Sequence, residues 1–298
     1  MITHGFGWSR RRVLEAGSFA LLAGFARPCM AIAAVAPQFW RIHKNGTVVT
    51  LFGFGDARDQ SWFSPALRQA FAESSELWLE TAPAPLQKSP NAAQIARWSN
   101  LQGRSLFDVL GSDLSARVRQ RLTEFEVPES SVAGQMPWRA YYAINGAYWQ
   151  RHPQPWKAQP VDGALADLAI ASGKPVSSEF LGFAELAEFM GSMSDAAQAQ
   201  YVDWLLQALD ERDAGRSGNP FAWISGERPM ASLARMAALP DLFAAMQIGR
   251  NRWWAKKIAE LLSARRSAFI AVGQLHVMGV AGIPRQLEDL GLSPKQAA

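Results

Sequence analysis

The chain has 298 residues, 49% of them apolar, which suits one large domain with a buried core and not a disordered or fibrous chain. Most of its net charge of +4 comes from the N-terminus: Arg10, Arg11, Arg12 and Arg27 stand against Glu15 alone in the first 33 residues, and taking away those four bases and one acid leaves +1. A nearly neutral remainder argues against nucleic-acid binding, which needs a net positive face, and the single cysteine, Cys29, rules out an intrachain disulfide or zinc-finger spacing.

In chain order, Ser9-Arg10-Arg11-Arg12-Val13-Leu14 resembles a twin-arginine export signal. A mildly apolar run from Ala16 to Ala26 follows, and Ala31-Ile32-Ala33 reads as a cleavage site. Residues 1–33 are therefore expected to be a signal peptide and 34–298 the mature domain, periplasmic or secreted. The apolar run is too short for a transmembrane helix, and no later segment is apolar enough to span a bilayer. The alternative is a basic amphipathic helix on a cytoplasmic protein.

Phe39 to Phe54 reads as a β-hairpin turning at Asn45-Gly46 and ending in Gly53-Phe54-Gly55-Asp56. Ser64-Pro65 opens a helix, with serine as cap and proline at the first position. Glu76-Leu77-Trp78-Leu79-Glu80 is a strand, and residues from about 91 to 160 are mainly helical. A helix over 162–171 leads through Gly173-Lys174-Pro175 to a short strand ending at Glu179. Residues 184–262 are again mainly helical. Ala268 to Val272 is a last apolar strand, ending in Gly273-Gln274-Leu275-His276, and Gly282-Ile283-Pro284 opens the last helix. Strand, Gly-x-x-Asp and helix near 47–70 weakly resemble strand, Gly-x-x-His and helix near 268–287. The pattern predicts an α/β fold: a mostly parallel central sheet with flanking helices, an inserted helical lobe and two pseudo-repeated strand-turn-helix units.

Ligands of such sheets gather beyond the carboxyl ends of the strands. Four strand ends carry residues with chemistry: Asp56, Glu80, Glu179 and His276. Carboxylates and an imidazole in one crevice suit a divalent metal or a general base. The sequence has no phosphate loop, no dinucleotide fingerprint and no nucleophile elbow.

Three ordered blocks carry a family resemblance. They are Leu51-Phe52-Gly53 to Asp56 with Trp62, Ser64-Pro65-Ala66-Leu67 and Leu77-Trp78-Leu79-Glu80; Gly173-Lys174-Pro175-Val176 with Glu179; and Arg250-Asn251-Arg252-Trp253-Trp254-Ala255 with Phe269 to His276 and Gly279. Together they resemble the TraB/GumN family, to which the Tiki proteins belong. The resemblance implies a metal-dependent protease-like site with two G-x-x-H motifs, a glutamate and an arginine. By motif, Gly273 to His276 matches the second G-x-x-H, Glu80 the glutamate and Arg250 the arginine. Asp56 stands where the first motif has histidine, which favours a harder ion such as Mn²⁺ or Mg²⁺ or marks lost catalysis.

Each residue also has a structural reading. His276 fits a satisfied histidine near a sheet edge, Asp56 a turn-former, Glu80 a salt bridge to Arg250, and the Arg-Trp run an amphipathic helix. The expected function is a metal-dependent hydrolase, and specifically a peptidase, of the periplasm. Asp56, Glu80, Glu179 and His276 would be its metal ligands, Glu80, Arg250 and His276 its catalytic groups, and a peptide or small molecule its substrate. The alternative is a catalytically inactive periplasmic binding or interaction protein on the same scaffold. A signal-inhibiting role, by analogy with TraB relatives that shut down pheromones, is a third reading.

Overall fold

The structure, a computed structural model, describes residues 38–297 apart from 56, 58, 90, 154–159 and 217–228. The expected leader and Asp56 therefore lie outside the described residues. The hairpin opens the fold as β1 (Phe39–Lys44) and β2 (Thr47–Phe54). Asn45 and Gly46 both take positive φ, +50° and +78°, the geometry a two-residue hairpin turn requires. In α1 (Pro65–Glu73) the Ser64 hydroxyl accepts from the Leu67 N–H at 3.2 Å and Pro65 takes the first position, as its missing N–H allows. Then come β3 (Glu76–Thr81), α2 (Ala92–Ser99), α3 (Leu106–Glu124), α4 (Pro137–Arg151), α5 (Val161–Ala171) and β4 (Val176–Phe180). They are followed by α6 (Phe183–Ser192), α7 (Asp195–Asp213), α8 (Pro229–Ala237), α9 (Pro240–Phe243), α10 (Arg250–Ser263), β5 (Ala268–Gly273), α11 (Ile283–Asp289) and β6 (Lys295–Ala297).

The strands form one sheet in the order β4-β3-β5-β2-β1-β6. Its four strands β4, β3, β5 and β2 are parallel, and β1 and β6 add antiparallel pairs at the other side. Because β2 to β5 run the same way, their carboxyl ends share one edge. The two similar strand-turn-helix stretches of the sequence contribute neighbours: β2 pairs with β5, Val49 beside Ala268 through Phe54 beside Gly273.

Both faces of the sheet are covered, so its central strands are apolar throughout instead of alternating. In β5, Phe269 and Ala271 face a core shared with Phe52, Leu77, Leu79, Trp62, α1 and α5. Ile270 and Val272 face the opposite core with Leu51, Trp254, Ile258, Leu261 and Leu287, under α10 and α11. Each such fully buried phenylalanine or leucine contributes on the order of 1.5–3 kcal/mol.

The remaining helices build a lobe with its own clusters: α3, α4 and α7 around Leu106, Val118, Ile144 and Leu206, and α4, α6, α7 and α9 around Trp138, Met190, Tyr201 and Leu242. The long helical stretch expected from 184 breaks at Met193, and Ser194 starts α7 anew by accepting from the Ala197 N–H at 3.1 Å. Gly111, at φ +72°, likewise kinks α3. No helix among the described residues is long and apolar enough to cross a membrane.

Candidate functional site

The register that sets Leu79 beside Ser178 and Thr81 beside Phe180 puts Glu80 next to Glu179 on adjacent strands. Two carboxylates so placed repel one another. What holds them is Arg250, the first residue of α10. Its Nε donates to Glu179 Oε1 at 2.9 Å, and its Nη2 donates to Glu179 Oε2 and to Glu80 Oε2, both at 2.6 Å. The Trp254 indole N–H, one turn along α10, adds a bond to Glu179 Oε2 at 3.1 Å. Arg250 also lies against the rings of Phe180 and Phe189, 5.4 and 5.8 Å from their centroids. Its Nη1 makes no hydrogen bond to any described residue.

A π-helical turn, Ala244–Gly249, runs straight into α10. Such turns re-aim the residues that follow them, and Arg250, only 7% exposed, points into the sheet edge. Asn251 beside it is fully buried. Its side-chain N–H donates to the Ala281 carbonyl at 2.7 Å, which fixes the amide so that Oδ1 faces His276 Nδ1 at 2.5 Å. An amide oxygen only accepts, so this network assigns the imidazole proton to Nδ1.

His276 stands in the single turn Gln274–Val277 that follows β5 and is 5% exposed. Its Nε2 faces Glu80 Oε2 at 3.6 Å, too long for a direct hydrogen bond. The other Glu80 oxygen accepts from the Gly273 N–H at 2.5 Å. Gly53 is required at the end of β2: a Cβ there would sit 2.3 Å from the Val277 methyl, so the turn after β5 packs directly on β2.

Burial alone would raise the Glu80 carboxyl, but the charge that His276 carries when protonated, the Arg250 charge and the bond from the Gly273 N–H outweigh it and hold the group well below the ordinary carboxylate range. Burial likewise works against the Arg250 charge, and the two glutamates reverse that effect and push its pKa up. Glu80 is thus a fixed anion and Arg250 a fixed cation at any neutral pH.

The structure brings together Glu80, Glu179, Arg250 and His276. Glu179, expected as a metal ligand, has both oxygens committed to Arg250 and Trp254. Glu80 Oε2 and His276 Nε2 remain as a donor pair, and among the described residues no three of histidine, cysteine, aspartate and glutamate gather as a metal site. Arg250 on the same Glu80 oxygen opposes a second cation there. The described residues therefore do not by themselves fit a metal, and the third donor expected, Asp56, lies outside them. Sequence reasoning gave no role to Asn251, Trp254 or the Gly273 N–H. The one signal for Trp254 was its spacing, four residues on from Arg250 and three from Asn251, which makes it a helical neighbour of both.

An α/β sheet with a buried ion cluster at its parallel carboxyl edge, roofed by a helical lobe, is the class of protein that the geometry defines. The chain belongs to the TraB/PrgY/gumN family, whose model matches residues 38–296. No curated protein and no solved structure matches it.

Proposed function

We propose that the protein is a hydrolase of the periplasm acting on a peptide or another small amide or ester at the Glu80–His276–Arg250 cluster. The observation that carries this reading is the 3.6 Å gap between His276 Nε2 and Glu80 Oε2. One water can sit to the side of that gap and hydrogen-bond to both atoms. With Glu80 held too acidic to be an effective base, His276 takes the proton. Nε2 accepts a proton as the water oxygen attacks the carbonyl, while Nδ1 keeps its own proton, donated to Asn251 Oδ1. Glu80 stabilises the imidazolium, and the Arg250 Nη1 hydrogens, which bond none of the described residues, meet the oxyanion. Nε2 then returns the proton to the leaving amine or alkoxide.

The test is turnover of a panel of chromogenic peptide and ester substrates. His276→Ala and Glu80→Gln are expected to lower the rate by about 100-fold or more without loss of folding; equal rates in the variants would reject the assignment. The metal dependence that the family resemblance implies is read in the same assay. Activity abolished by a chelator, restored by Mn²⁺ and lost in Asp56→Asn would make Asp56 the third donor. Indifference to chelator and ion leaves the chemistry to His276 and Glu80.

One observation favours a second reading, a non-catalytic periplasmic binding protein. Arg250 engages both glutamates among the described residues, and Glu80 is held below the ordinary carboxylate range. On that reading the substrate panel stays silent, and Glu80→Ala and His276→Ala fold normally and keep the physiological role.

A further inference from the structure

The helical lobe encloses a cavity of ≈ 160 Å³ between α4, α7 and α8, away from the Glu80 cluster. Its lining includes Tyr141, Trp204, Glu211, Arg212, Arg216 and Arg235. Three guanidinium groups thus share the cavity with one carboxylate. Glu211 is taken by Arg235 Nη1 at 2.5 Å. The Arg212 guanidinium lies over the Trp149 and Tyr148 rings, 4.8 and 5.7 Å from their centroids, with no carboxylate partner among the described residues. Arg216 also has none there. The nearby acids Asp203, Asp210 and Asp213 are bound by Arg117 and Arg121 on α3. Among the described residues the lining therefore carries an excess of two positive charges.

A second observation points to a ligand. Arg235 Nη2 donates to the Ser232 hydroxyl at 3.2 Å, but its buried Nε has no hydrogen-bond partner. A buried, charged N–H left unmet is costly, and a carboxylate oxygen is the partner that guanidinium geometry prefers. The walls supply the rest of the recognition. Trp204 and Tyr141 both stack on Tyr201, with ring planes 11° and 7° from its own, and so offer flat apolar surface. The volume matches a single six-membered ring, since a cavity of about 150 Å³ holds benzene.

We propose that this cavity binds a small organic anion, an aryl or similarly flat monocarboxylate. Its carboxylate meets Arg235 and Arg216 and its body lies against Trp204 and Tyr141. A bare phosphate would leave the aromatic walls unused, and a peptide or nucleotide is too large for the volume. The site is independent of the Glu80 cluster and of whether that cluster hydrolyses anything.

The test is calorimetric titration of the whole protein with benzoate, and with benzamide as the uncharged match in shape. Benzoate is expected to bind saturably at one site and benzamide at least about tenfold more weakly. Arg235→Gln and Arg216→Gln should each weaken benzoate by roughly three- to tenfold. Arg216 is exposed at the end of α7 and bonds no side chain among the described residues, so its variant keeps the test valid even where Arg235→Gln impairs folding. No saturable benzoate binding up to on the order of 10 mM, benzamide binding as well as benzoate, or unchanged affinity in Arg216→Gln would each overturn the proposal.

Discussion

Removing the Asn251 amide tests how helix α10 sets the state of His276. The Ala281 carbonyl fixes the amide, and the amide oxygen fixes the proton on Nδ1. Asn251→Leu keeps the volume but supplies neither partner, so a carbonyl and an N–H are left unmet at a cost of about 1–3 kcal/mol. Nitrogen-15 spectra of the imidazole are expected to show one tautomer, protonated on Nδ1, in the parent and a mixture in the variant. The same tautomer in both would mean that something other than Asn251 orients the ring. Glu80 gives a second prediction at this scale. Its folded pKa lies below the unfolded value of about 4.3, so its charged form stabilises the fold fully above that value and loses its contribution as pH falls toward the folded pKa. The urea midpoint of the parent should therefore fall as the medium is acidified below roughly pH 4–5, and Glu80→Gln, less stable at neutral pH, should fall less over the same range. Parallel curves would remove Glu80 from the acid response.

At the scale of elements, close approach is decided by glycines whose roles differ in sign. On α6, a Cβ at Gly191 would lie 2.4 Å from the Trp98 carbonyl oxygen and 2.9 Å from the Trp98 Cβ of α2. Backbone cannot give way as a flexible side chain can, so Gly191→Ala is expected to destabilise by about 1–3 kcal/mol. Gly146, exposed in the middle of α4, has nothing within 4 Å of a Cβ, so Gly146→Ala should stabilise by about 0.5–1 kcal/mol through the unfolded chain and helix propensity. Urea denaturation of the two variants reads both signs, and a stable Gly191→Ala would contradict the tight α2–α6 packing. The elements themselves were largely legible. Asn45-Gly46, Ser64-Pro65 and Gly273 are local signals with local causes, and each turns the chain where the sequence places the turn. The β6 strand was not, because three residues carry no periodicity. The site was legible by half. Glu80, Glu179 and His276 could be put at strand ends, and a salt bridge from Glu80 to Arg250 was one reading of the sequence, which the structure contains, but the partners of Glu179 and His276 could not be named. Which helix crosses which edge is set by packing over long separations, and Arg250 is 71 residues from Glu179 and 170 from Glu80. A strand-end carboxylate looks the same in sequence whether a metal or an arginine neutralises it.

At the scale of the molecule, the sheet edge and the lobe together make the site: Phe189 of α6 packs on Arg250, and Leu275 of the turn bearing His276 packs into the lobe cluster of Trp138 and Met190. The family match begins at residue 38, just after the segment that carries three of the four net positive charges. That charge admits two readings, an export signal recognised by its pattern and a cationic helix acting by charge alone. They separate on one substitution. Arg11→Lys with Arg12→Lys keeps the charge and removes the paired guanidinium groups, which lysine does not replace in geometry. If the segment is a twin-arginine leader, the parent protein fractionates to the periplasm with its N-terminus at or near Ala34, and the double variant stays inside the cell at full length. If charge alone matters, the two proteins distribute alike and both keep their leader. Cell fractionation with N-terminal sequencing decides between them, and an uncleaved, cytoplasmic parent would refute the proposed periplasmic location.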